Sequence, residues 1–272
     1  LSLHGYEIEK HLGKGSYSNV LLCQSSKYHQ QFAIKCAIKK EVTESEYKIM
    51  ISLNHPNIIK LYDTFEDDFA RYLVTEYCPN GTIRQKGKLT NEKFVIYAKQ
   101  ILEAVSYCHA HRDIKPDNIF LDQYDQIKLT DFGFAKQFDF DNEKCEEKWG
   151  SLRFMAPEML QCQSICPFKA DIWALGITFF FMATGSFPFC GKTKDEMKQL
   201  IILGQFDFDK YLMSHKIRFL ISKMTAKNIN LRAKPDKLLR LPIFTNNEKN
   251  NFFYRKSLNR KSLVYTKNVI ME

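Results

Sequence analysis

Within eight residues, His111-Arg112-Asp113-Ile114-Lys115-Pro116-Asp117-Asn118 displays two aspartates, an asparagine and two permanent cations, and Asp131-Phe132-Gly133 begins thirteen positions after Asn118. Between them, Asn118-Ile119-Phe120-Leu121 and Gln126-Ile127-Lys128-Leu129 read as short strands on either side of the turn Asp122-Gln123-Tyr124-Asp125. Phosphoryl transfer needs a carboxylate to accept or orient a hydroxyl proton, an amide and a carboxylate to hold a metal, and a cation to spread developing charge. Asp113, Asn118, Asp131 and Lys115 are groups of those types.

The sequence upstream supplies partners for that chemistry. Gly13-Lys14-Gly15-Ser16-Tyr17-Ser18-Asn19-Val20 carries glycines that permit a close backbone approach, so that amide N–H groups can cover phosphates. Lys35 follows Val20 by fifteen residues, at the end of the apolar run Phe32-Ala33-Ile34, where a strand lysine needs an anionic partner. Glu46 can supply it, from a helix over residues 44–53 whose Tyr47, Met50 and Leu53 recur every third position. Residues 6–77 otherwise read as strands, including Val20-Leu21-Leu22-Cys23 and Arg71-Tyr72-Leu73-Val74-Thr75. After Asn80-Gly81 the period becomes helical, with Phe94, Tyr97, Ile101, Leu102 and Val105 on one stripe and further helices around Trp173 and Ile217.

Taken in order, these motifs resemble the eukaryotic protein kinase family over residues 6–244, in a layout similar to calcium/calmodulin-dependent-kinase-like serine/threonine kinases. The resemblance implies an α+β, bilobal fold: a small β-rich N-lobe at 1–77, a larger, mainly helical C-lobe at 78–247 and a basic tail at 248–272. It implies a Lys35–Glu46 ion pair, Asp113 as catalytic base, Lys115 at the γ-phosphate, and Asn118 and Asp131 on Mg²⁺. ATP is expected with its phosphates under the Gly13 and Gly15 loop and its adenine under Leu12, Val20 and Ala33 and above Phe120, with Thr75 as gatekeeper and backbone groups of Glu76 and Cys78 at the hinge. Met50, Leu61, His111 and Phe132 would stack across the lobes; Glu158 of Ala156-Pro157-Glu158 would pair with Arg232; Asp171 would anchor the catalytic loop. Lys115, two positions after Asp113, and Ser151 fit the serine/threonine class, so the implied partner is a protein with a serine or threonine acceptor.

Several segments depart from the family pattern. Only Ala110 separates Tyr107-Cys108-His109 from His111, where the family has about five residues, so the preceding helix is expected to end early or a short strand to be lost. Four extended residues span about 13 Å, and the expected consequence is a displaced catalytic loop and weak activity. Residues 81–89 leave little room for the helix after the hinge, and the Lys35 to Glu46 spacing is compressed. Residues 134–149 lack Ser, Thr and Tyr and carry Asp139, Asp141, Glu143, Glu146 and Glu147, one of which could pair with Arg112 as a phosphate would. Thr82 and Phe181 stand where arginine-seeking kinases carry Glu, leaving Asp117 as an acid near the substrate.

Composition narrows the alternatives. The net charge of +9 favours anionic partners, but no zinc spacing or aromatic RNA-binding motif supports a nucleic-acid binder, and none is expected. The eight cysteines show no paired metal spacing and read as reduced intracellular thiols, in a cytoplasmic or nuclear monomer. The most apolar stretch, residues 172–183, falls short of the roughly 20 residues of a membrane span and reads as a buried helix. The competing reading is a pseudokinase or impaired isoform, an ATP-binding scaffold produced by the shortened segments.

Overall fold

The computed structural model describes residues 1–14, 18–39, 50–108, 115–130, 152–161 and 166–245. Strands β1 (Tyr6–Lys14), β2 (Ser18–Ser25), β3 (Gln31–Ile38), β4 (Leu61–Glu66) and β5 (Ala70–Glu76) form one antiparallel sheet in the order β1-β2-β3-β5-β4. Side chains alternate across a strand, and here the alternation separates two jobs. Leu21, Cys23, Phe32, Ile34 and Val74 close a small core with Tyr6, against which the rings of Phe65 and Tyr72 stack 4.9 Å apart. On the other phase of β3, Ala33 and Lys35 are only half-buried. They lie in register with Leu22 and Val20 on one side and with Thr75 and Leu73 on the other, which lines up the residues expected over a nucleotide.

The remainder of the described chain is mostly helical: α1 (Ile83–Lys86), α2 (Asn91–Tyr107), α3 (Pro157–Leu160), α4 (Pro167–Thr184), α5 (Lys194–Leu203), α6 (His215–Met224), α7 (Pro235–Leu239) and α8 (Pro242–Thr245). Each longer helix starts where its sequence supplies a cap or a proline. The Thr90 hydroxyl accepts from Lys93 N–H, those of Thr193 and Ser214 do the same three residues on, and Pro167 opens α4. Helix α2 buries Phe94, Tyr97, Ala98, Ile101, Leu102 and Val105 on its inner stripe. Helix α4 is apolar all round, and every residue from 172 to 183 is buried, as a helix surrounded by protein requires. At Gly176, α4 passes so close to α6 that a Cβ would sit 2.4 Å from the Thr225 methyl and 3.1 Å from Met224 Cβ. No helix of the described residues is long and apolar enough to cross a membrane.

Four sequence expectations take definite form here. Helix α2 runs through Tyr107 and so does not end early; Cys108 is extended, and residues 109–114, where the shortening then falls, lie outside the described residues. The segment after the hinge is the single turn α1, capped by reciprocal Thr82 and Gln85 bonds. The two short strands are Ile119–Leu121 (β6) and Ile127–Leu129 (β7), each one residue shorter than read from sequence. Asn118 instead ends the 3₁₀ turn Pro116–Asn118. Gln126 is drawn into the turn because Asp122 Oδ1 accepts from both Tyr124 N–H (2.8 Å) and Gln126 N–H (2.9 Å). Of the expected helix over 44–53, residues 50–52 are helical and 40–49 lie outside the described residues.

The expected Glu158–Arg232 pair is present and bidentate, at 2.7 and 3.0 Å. Arg232, 1% exposed, also donates to the carbonyls of Ala226 (3.2 Å) and Lys169 (2.7 Å), while its guanidinium lies 5.2 Å from the Trp173 ring centroid. One side chain thus ties α3 to α4 and to the segment leading into α7.

Candidate active site

The site begins with the β6–β7 hairpin, which brings Asn118 and Thr130, twelve positions apart in the chain, together. Ile119 pairs with Leu129, Phe120 with Lys128 and Leu121 with Ile127, so Asn118 and Thr130 face each other at the open end. The carbonyl of Asn118 accepts from both the N–H (3.0 Å) and the hydroxyl (3.1 Å) of Thr130. Asn118 is 8% exposed, and Asp131 is the next residue after Thr130. One expected metal ligand, Asn118, is therefore fixed at the end of a hairpin by main-chain bonds; the other, Asp131, lies outside the described residues. Thr130 was not singled out from sequence, and only its position directly before Asp131 could have marked it.

The hairpin is in turn fastened to the segment before β4. Asn57, 6% exposed, donates from its amide to Ile127 O (3.0 Å) and accepts from Leu129 N–H at its own carbonyl (2.9 Å), and Ile59 N–H reaches Leu129 O (2.8 Å). A further link starts at the hinge: Glu76 places one carboxylate oxygen 2.8 Å from Lys128 Nζ and the other 2.8 Å from Lys60 N–H. Both members of the Glu76–Lys128 pair are largely shielded, with side chains 19% and 13% exposed. Glu76 was expected to act through its backbone. Its N–H is bound to Lys60 O (3.1 Å), and its side chain adds a further role, strapping the sheet to the hairpin, one invisible until β5 and β7 are placed side by side.

The upper wall follows the register of the sheet. Leu12, at an irregularity in the β1–β2 pairing, is 38% exposed; Gly13 pairs with Val20, and Val20 and Ala33 are half-buried. The Thr75 hydroxyl donates to Ala33 O (3.1 Å), which fixes the rotamer of the expected gatekeeper. Phe120, half-buried, bridges by its backbone to Thr82, placing the lower wall beside α1. Lys35 and Lys115 are half-buried. Gly15, Glu46, His111, Asp113, Phe132 and Ser151, with Arg112, the acidic residues 139–147 and the tail after residue 245, lie outside the described residues.

At the hinge, burial raises the Cys78 thiol to about 12, with the neighbouring Glu76 charge the next cause, and burial raises Cys23 to about 11. A thiol reacts as its thiolate. At pH 7.5, iodoacetamide is therefore expected to modify the exposed Cys166 and Cys190 at least about 100-fold faster than Cys78 or Cys23. Peptide mass spectrometry of a timed reaction checks this; comparable labelling of Cys78 would contradict a closed hinge.

The donor chemistry suits magnesium better than a softer metal. An asparagine oxygen and an aspartate are hard oxygen ligands, and Mg²⁺ takes one or two such groups together with substrate phosphates. Among the described residues no cluster of three or more His, Cys, Asp or Glu could hold an ion.

The chain matches the family model described as protein kinase domain over residues 6–244. It is 34% identical to calcium-dependent protein kinase 5 of Plasmodium falciparum over 94% of this chain and 48% of that protein. It is 31% identical to the probable serine/threonine-protein kinase MARK-A of Dictyostelium discoideum over 89% of this chain and 24% of that one. The chain thus spans half or less of the curated relatives it matches. Among solved structures, Rad53 residues 1–466 in complex with AMP-PNP superposes with a TM-score of 0.77 at 26% identity, covering 90% of this chain and 66% of that one.

Proposed function

The chain belongs to the protein kinase family, of the serine/threonine, calcium/calmodulin-dependent-kinase-like kind, and from that premise we propose that it transfers the γ-phosphate of ATP to a serine or threonine hydroxyl of a protein. The observation that carries the reading is the clamp of Thr130 on the Asn118 carbonyl, below a sheet face that aligns Val20, Ala33, Lys35 and Thr75. Lys35, paired with Glu46, binds the α- and β-phosphates; Asn118 and Asp131 hold Mg²⁺, which supplies charge neutralisation at the phosphates when bound. Asp113 accepts the proton of the attacking hydroxyl, and Lys115 offsets charge on the γ-phosphoryl oxygens. Gly13 and Gly15 let backbone amides cover the phosphates; Leu12, Val20 and Ala33 cover the adenine, Phe120 supports it, and Thr75, Glu76 and Cys78 border its edge.

The test is incorporation of radiolabel from γ-labelled ATP into a generic protein substrate, with and without a magnesium chelator, followed by phosphoamino-acid analysis. Chelator-sensitive phosphoserine or phosphothreonine is the expected product. Folded, nucleotide-binding protein that incorporates nothing would replace catalysis with an ATP-binding scaffold.

A further inference from the structure

Two arginines, one of them on the helix that packs against the 3₁₀ turn Pro116–Asn118, meet on one aromatic ring. The Arg84 guanidinium lies 4.8 Å from the Phe187 centroid and 5.0 Å from that of Phe181, and Arg153 lies 5.0 Å from Phe187. The platform beneath them is preorganised: Phe181 and Phe187 stack 4.9 Å apart, Phe154 meets Phe187 edge-on at 5.6 Å, and the three rings are between 3% and 9% exposed. Among the described residues neither guanidinium has a carboxylate in ion-pair or hydrogen-bonding contact, although Arg71, Arg218 and Arg232 do.

The location ties this pair to the substrate. Arg84 sits on α1, which packs against the 3₁₀ turn ending in Asn118, and Arg153 lies two residues after Ser151, in the segment leading into Ala156-Pro157-Glu158. A guanidinium lying on a ring uses its face there and leaves its in-plane N–H donors pointing outward, the geometry that binds a carboxylate or phosphoryl group bidentately. Both cations lie within 5.0 Å of one ring centroid, so an anion near that ring is attracted to each of them. The exposed Asp117 is the opposing charge on that turn.

We propose that Arg84 and Arg153, held on the Phe187 platform, form a specificity site for an anionic side chain, carboxylate or phosphoryl, close to the acceptor residue of the substrate. The inference rests on the protein-phosphorylating reading and adds the substrate class: acidic or already phosphorylated sequences. The Thr82 and Phe181 positions agree with it, since neither offers a carboxylate to a basic peptide.

The experiment uses the full chain and three fluorescent peptides with one central serine acceptor, flanked by glutamine, glutamate or phosphoserine. Anisotropy reads binding, and labelled ATP reads turnover. At least one anionic peptide is expected to bind about tenfold more tightly than the glutamine peptide, a ratio that falls as salt is raised. The Arg84→Gln, Arg153→Gln double variant is expected to bring that ratio to about one, and the double lysine variant to keep only part of it, because an ammonium lacks the flat fork. Preference for glutamate assigns acidic sequences and preference for phosphoserine assigns previously phosphorylated ones; either supports the site. Equal binding of all three peptides by the wild type, or a preference that survives the double glutamine variant, overturns it. Because anisotropy needs no catalysis, selective binding without phosphorylation of any peptide would sink the phosphotransfer reading and leave this site standing.

Discussion

Asp113→Asn is expected to lower phosphate transfer by about 10²–10⁴-fold, the range that a positioned general base contributes, with nucleotide affinity and thermal stability close to wild type. Asparagine keeps the size and one hydrogen-bonding oxygen of aspartate and cannot take up the hydroxyl proton. The residues flanking Asp113 on its C-terminal side are well anchored: Asn118 N–H closes the turn onto Lys115 O at 3.0 Å, and Asn118 O is held by Thr130. The variant should therefore remove a function and not a fold. Initial rates at saturating ATP, alongside melting curves with and without nucleotide, make the comparison; equal rates would remove Asp113 from the mechanism. The wild-type rate is informative as well. Turnover in the usual kinase range of about 1–100 s⁻¹ would show that the shortened approach to His111 leaves the catalytic loop in working position.

Arg232→Met is expected to destabilise the protein by about 3–5 kcal/mol, because it strands the Glu158 carboxylate, 6% exposed, without its partner. At roughly 2–4 °C per kcal/mol for a domain of this size, the melting temperature should drop by about 10 °C. Two carbonyls, of Lys169 and Ala226, lose their donor at the same time. Adding Glu158→Gln to the same chain should recover part of the loss, since no buried charge then remains. Thermal unfolding followed by circular dichroism gives both values. A shift under about 2 °C for Arg232→Met would mean that water reaches the pair. Since Glu158 opens the stretch that follows Arg153 and Phe154, the destabilised variant is also expected to blunt the anionic-peptide preference.

Much of the fold was legible because strands and helices announce themselves locally. The alternation in Phe32-Ala33-Ile34-Lys35 and the helical stripe through Phe94, Tyr97, Ile101 and Val105 reflect backbone periods of 2 and 3.6, and both reappear in the burial of β3 and α2. The Glu158–Arg232 pair came from the resemblance, as a residue-by-residue correspondence, and the structure places it. Element ends were less legible. The one-residue retreat of β7 follows the capture of Gln126 N–H by the Asp122 side chain, and that of β6 follows the closing of Asn118 N–H onto Lys115 O in the 3₁₀ turn, competitions with the ladder that composition does not reveal.

The sequence by itself determined the family, the two-part architecture and the inventory of chemical groups, because motif spacing and hydrophobic period are properties of the chain taken a few residues at a time. Only the tertiary structure decided which groups meet: Asn118 with Thr130 across a hairpin, Glu76 with Lys128 across the hinge, and Arg84 with Arg153, separated by about seventy positions, on the single ring of Phe187. Those encounters arise from packing between elements, which brings together residues that no local pattern relates, and their strength comes from the exclusion of water that packing creates.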